Sequence, residues 1–127
     1  MKEQAEKLKF IEQELSDSEG PFELFALFLR EDAADKWDII VSADWARENK
    51  RATIHLITEK ITSRFNKQEM LMFSRLIVLD KDDASLKALH NAVQVEHGLS
   101  EISDSHFFGL AIKHAYVITS KDQVHSI

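Results

Sequence analysis

The chain has 127 residues, 44% hydrophobic and 30% charged, with a formal net charge of −6. That suits one domain with a single core and disfavours nonspecific binding to nucleic acid. It contains no cysteine, which excludes disulfides, thiolate nucleophiles and cysteine-bound zinc together and makes a reducing, cytoplasmic setting the expectation.

The first ten residues, "MKEQAEKLKF", are charged throughout and lack an apolar h-region, so no secretory signal is expected. Ala5, Leu8, Ile11 and Leu15 recur at helical spacing and predict an amphipathic helix over Met1 to Leu15. Glu3, four residues before Lys7, adds a favourable helical pair. "SDSEG" (Ser16 to Gly20) breaks this helix. A second helix is expected to open at Gly20, with Pro21 at its first position and Glu23 in its first turn. It would carry "FELFALFLR", apolar nearly all round, and so be buried on most sides or turned toward a partner.

Trp37 to Ser42 reads as the first strand, its centre Ile39 to Val41 continuous and β-branched, as a strand covered on both faces requires. A long helix over Glu48 to Phe65 follows, with Ile54, Ile57, Ile61 and Phe65 on its core face. Asn66 and Glu69 have capping-box spacing for a short helical turn. "RLIVLD" is the second strand. Asp82 or Asp83 starts a helix that runs to His97 and stops at Gly98, with Leu86, Leu89 and Val93 as its buried stripe. "SEISDSHFFG" fits a helical turn or a loop. Leu110 to Thr119 is the third strand, with Leu110, Ile112, His114, Tyr116 and Ile118 on one face, and it is the strand that could run antiparallel to the others. Residues 1–120 form one domain, and 121–127 are expected to be a flexible tail.

The order α-α-β-α-β-α-β implies parallel pairing through right-handed crossovers. The expected fold is a small α/β domain with a three-stranded, mainly parallel sheet and helices on both faces. The longest apolar run, Leu24 to Leu29, is far short of the about 20 residues of a membrane span, so no membrane association is expected.

Ligands of open parallel sheets bind beyond the strand carboxyl ends. Those ends carry Asp44, then Asp80, Asp82 and Asp83, then Thr119, Ser120, Lys121 and Asp122. Such acids can hold Mg²⁺ or accept a phosphoryl group. The simpler reading makes Asp80 a strand end and Asp82 or Asp83 a helix cap. Over these few residues the run resembles the Asp-x-Asp strand-end motif of haloacid-dehalogenase-like phosphatases. That family begins with this strand and needs far more chain after it, so its activity does not carry over. Receiver domains share the length and the strand-end acids, but here two helices come first.

His90 and His97 stand two helical turns apart, about 10 Å, too far for one metal ion. His55 lies on a polar face, and His106 and His114 have no spacing that joins them. Walker A, Gly-x-Ser-x-Gly, Gly-x-Gly-x-x-Gly and His-Glu-x-x-His are all absent. The leading expectation is a non-catalytic module that works by protein contact and self-associates, through Phe22, Phe25, Phe28, Leu29 and Trp45, with no cofactor. The alternative is a divalent-metal hydrolase or phosphotransfer domain using Asp44, Asp80, Asp82 and Asp83.

Overall fold

In the computed structural model, which describes residues 1–32, 35–107 and 110–121, the greasy run Leu24–Arg30 is extended. It is strand β1, and it follows helix α1, Lys2–Ser18. The chain continues through β2 (Trp37–Ser42), α2 (Asp44–Glu48), α3 (Lys50–Arg64) and α4 (Lys67–Met70). Then come β3 (Phe73–Val78), α5 (Ala84–Ala92), β4 (Ser100–Phe107) and β5 (Leu110–Ser120). The expected tail lies, from residue 122 on, outside the described residues, and so does Asp122.

Among the described residues five strands form one sheet in the order β3-β2-β1-β5-β4. Only β2 and β3 run parallel; β1–β2, β1–β5 and β4–β5 are antiparallel. The expected three-stranded, mainly parallel sheet is therefore overturned in favour of a mixed, mostly antiparallel one, while the combination of helix and strand stands. Two segments account for the difference. Leu24–Arg30, expected as a helix, is the central strand. Ser100–Phe107, left between helical turn and loop, is an edge strand.

The physical reason for β1 is layering. Leu24, Ala26 and Phe28 pack toward α5 with Leu86, Leu89 and Val117, whereas Phe25 and Leu27 pack on the other face with Leu8 and Ile11 of α1 and Ile57 of α3. A strand buried on both faces has no polar side to show, so its sequence is continuously apolar. The hairpin is locked from its first residue, with Glu23 N–H donating to the Ser42 carbonyl at 2.8 Å. Helix α5 ends at Ala92, short of the expected His97. Gly98 is not its cap, for its N–H donates to Ile118 of β5.

The expected capping box at α4 is present, and it does more than cap. Glu69 accepts from the Asn66 backbone at 3.1 Å while Asn66 accepts from the Glu69 backbone at 2.8 Å. The same carboxylate takes Lys7 Nζ and Gln4 Nε2 of α1, each at 2.9 Å. The capping N–H first, then Lys7 and Gln4, hold the Glu69 carboxyl down at about 2, from an ordinary 4.5. A depressed carboxyl contributes stability above its unfolded value and loses it as pH falls through the folded one. Acidification from about 4.5 to about 2 is therefore expected to weaken the fold partly through Glu69. Urea melts across that range should show a shallower acid slope in Glu69→Gln; an unchanged slope would remove Glu69 from the account.

Candidate functional site

Because β5 is antiparallel to β1 and β1 to β2, the carboxyl ends of β2, β3 and β5 share one margin of the sheet, where β1 begins. Six buried polar residues meet there: Glu12, Glu23, Ser42, His90, Thr119 and Ser120. Buried polar groups need partners, and these form two networks and a pair. In the first, Arg47 donates to Glu23 Oε1 and Ser42 Oγ, both at 2.6 Å, and also reaches Asp44. In the second, Thr119 Oγ1 donates to Glu12 Oε2 at 2.8 Å and accepts from the His97 backbone N–H at 3.1 Å, while His97 Nδ1 lies 2.7 Å from Glu12 Oε1. His90 Nδ1 pairs with Ser120 Oγ at 2.9 Å. His90 lies between two adjoining cavities, about 520 Å³ against Asn91, Gln94 and Ser120 and about 300 Å³ against Glu23, Asp83 and Lys87.

The strand-end acids do not converge on one point. Asp44 is drawn to Arg47, and Asp80 accepts from Lys50 Nζ at 2.6 Å, which holds its carboxyl below the usual range. Asp83 directly precedes α5, and Asp82 stands beside it at the mouth of the smaller cavity. Among the described residues no group of three histidines, aspartates or glutamates is placed to hold a metal ion. Magnesium or manganese at millimolar concentration is therefore expected to leave the melting temperature unchanged. A cation bound only by the folded state would add about 2.7 kcal/mol at a hundredfold excess over Kd, so a clear upward shift that Asp80→Ala abolishes would restore the metal reading.

The expected contact residues are buried or half-buried. Phe22, Phe25 and Phe28 are buried in the chain's own core, and Leu29 is half-buried against it. Trp45 is a lid. Its Nε1–H donates to the Gly20 carbonyl at 2.8 Å, and its ring meets Phe22 edge-on at 5.2 Å. Gly20 has φ 136, and a Cβ there would meet the indole at 3.0 Å, so only glycine lets the ring close. Of the other histidines, exposed His55 pairs with Glu59 on α3. His114 stands opposite Ser103 and His106 opposite Ala111, so the sheet keeps the two apart.

What the sequence reading missed is the other margin. Among the described residues strand β3 pairs on one side only, with β2. Beside it an apolar cavity of about 320 Å³ is lined by Ile54 and Ile61 of α3, Met70, Phe73 and Leu76. Met70 also lines a neighbouring, more open groove with Phe65 and Leu71. Ile54, expected in the core, is 37% exposed, and Leu71 is 69% exposed. The run "EMLMF" is the only sequence signal of this patch, and helical periodicity assigns it no side.

Among the described residues no helix is long and apolar enough to cross a membrane. No protein-family model, curated protein or solved structure matches this chain.

Proposed function

We propose that the chain is a non-catalytic module acting by contact with another protein, and that the contact is made along the open edge of β3 with the groove beside α3. The asymmetry of the sheet's two margins carries this reading. An outer strand offers unpaired backbone groups to any extended chain, and proteins blunt such edges with charge. The β4 margin is blunted: it bears exposed Glu101 and Asp104, and Asp104 has φ 50. The β3 margin reads Phe-Ser-Arg-Leu-Ile-Val, and its one charge, Arg75, is taken up by Asp38 at 2.8 Å. An apolar groove flanks it, as in strand-addition sites where backbone pairing supplies affinity and side-chain pockets supply selectivity. The absence of cysteine fits a cytoplasmic setting.

Extended peptides with alternating apolar residues provide the test, followed by amide chemical shifts. Perturbation over Phe73–Val78 and around Ile54, lost in the edge-charging variant Ile77→Lys, is the expected result. No response at β3 to any such peptide, in a sample dilute enough to be monomeric, would overturn the reading. A second reading, binding of a small polar molecule, is favoured by the His90–Ser120 pair between the two cavities. Shifts confined to His90, Asn91 and Gln94 on adding such molecules would promote it.

A further inference from the structure

Backbone direction along β3 fixes which groups its open edge can offer. Leu79 N–H donates inward to the Val41 carbonyl of β2 at 2.9 Å. Backbone groups alternate sides along a strand. The register of β3 on β2 slips between Phe73 and Leu76 and is regular from Leu76 onward, so Ile77 also turns toward β2 and Leu76, just past the irregularity, presents its N–H and C=O to the outside. We infer that the occupant of this edge is a second copy of the chain, paired antiparallel across a two-fold axis at Leu76. The inference rests on the reading of β3 as the contact edge.

Register selects this axis. Centred on Arg75, the pairing would set two guanidinium groups directly opposite, which is destabilising. Centred on Ile77, it would set Ser74 against Asp80 and Phe73 against Lys81. Centred on Leu76, the two leucines exchange both backbone hydrogen bonds and each Arg75 faces an Ile77. Asp38 holds Arg75 through Nη2 at 2.8 Å and Nε at 3.3 Å while also accepting from Arg30 at 2.8 Å, so the charge of Arg75 is partly neutralised and in this register it faces an apolar Ile77 rather than its own twin. An axis perpendicular to the sheet also keeps both α3 helices on one face, where the two grooves and their exposed Ile54 side chains meet.

Closure explains the asymmetry of the margins. Pairing β3 with β3 consumes both unprotected edges and leaves only the charged β4 edges at the ends of a continuous ten-stranded sheet. A two-fold contact of this kind closes, whereas a β3-to-β4 contact would propagate as a filament. One blunted edge per chain is then sufficient.

The cysteine-free sequence makes the test direct. Opposed Cα atoms in such a hydrogen-bonded pair stand about 5.5 Å apart, inside the roughly 4.4–6.8 Å span of a disulfide. Leu76→Cys should therefore cross-link to itself in oxidised glutathione and run at twice 14.6 kDa on a non-reducing gel. Ser74→Cys should not, its twin being roughly 13 Å away at the rise of a strand. Should Leu76→Cys fold poorly, Arg75→Cys mixed with Ile77→Cys asks the same question, since only the mixed pair should join. Sedimentation of the unaltered chain should show a dimer that dissociates on dilution. A monomer at every concentration, or cross-linking by Ser74→Cys and not by Leu76→Cys, would overturn the inference. A monomer that still takes extended peptides at β3 would defeat the second copy alone and leave the contact edge standing, whereas no response at β3 in either experiment would defeat both.

Discussion

Phe25→Ala is expected to cost about 3–5 kcal/mol of folding stability, the usual range for emptying a buried phenylalanine site. The ring is 0% exposed near the start of β1, meets Phe22 edge-on at 5.1 Å, and lies between Val41 and Thr119 on the neighbouring strands. Helices α1 and α3 close over it, so little can collapse into the space it leaves. Domains of this kind are held by about 5–15 kcal/mol in total, so about a fifth or more of the stability would go. In urea the midpoint should drop sharply with the slope unchanged. The association of the chain should be unaltered under conditions where both forms are folded. A phenylalanine serving a surface contact would behave in the opposite way, losing association at a cost within about 0.5 kcal/mol. That outcome would return Phe22, Phe25 and Phe28 to the surface role that the sequence suggests for them.

The misreading of this segment has a definite cause. A run apolar on every side carries no periodicity, so it fits a buried helix and a buried strand equally. Length could have arbitrated, since seven residues are a full strand and a short helix. Pro21 and Glu23 tipped the balance toward a helix start, although the structure uses Glu23 to begin the hairpin and to hold Arg47. Trp37–Ser42 was legible because β-branched residues fill its centre. The Asn66–Glu69 box was legible because capping is local chemistry, four residues long. Ser100–Phe107 was not: an edge strand with one solvated margin can be polar, and its charges mark protection from pairing rather than absence of structure.

The candidate sites follow the same division. The strand-end acids were legible as a group at one margin of the sheet, because residues after parallel strands gather there whatever their pairing order. Which of them pair with cations was not legible, since Lys50 and Arg47 arrive from helices whose placement is tertiary. The β3 groove was invisible for a related reason. Nothing local says that β3 is outermost; that follows only once β1 inserts between β2 and β5. With β1 read as a helix, the strand that defines the free margin could not be identified, and the stickiness of "FELFALFLR" was assigned to the surface rather than to the middle of the sheet.

His97→Ala should cost about 1–3 kcal/mol, the range for leaving a buried hydrogen-bonding group without one of its partners. Glu12 is 0% exposed on α1, and among the described contacts its carboxylate is met by Thr119 Oγ1 and His97 Nδ1. The histidine ring supplies one of the two side-chain hydrogen bonds shown for that carboxylate. Without it, among the described contacts the Thr119 hydroxyl is the one partner left to a carboxyl group buried from water. The same ring ties the segment after α5 to α1, with residue 97 held at φ 51, so loosening should spread to Gln94 and Val95 beside the larger cavity. Lys121, which pairs with Glu96 at 2.9 Å, anchors that segment from the other side and limits the spread. The decisive comparison adds Glu12→Met to the His97→Ala chain. Replacing a buried pair by apolar groups of similar volume is often neutral, so the double variant should recover most of the lost stability although it carries more changes. Chemical denaturation of the two single variants and the double gives the coupling directly. A double variant as weak as the sum of the singles would show that Glu12 and His97 act independently, and that the cost lay in the cavity left by the ring rather than in a stranded carboxylate.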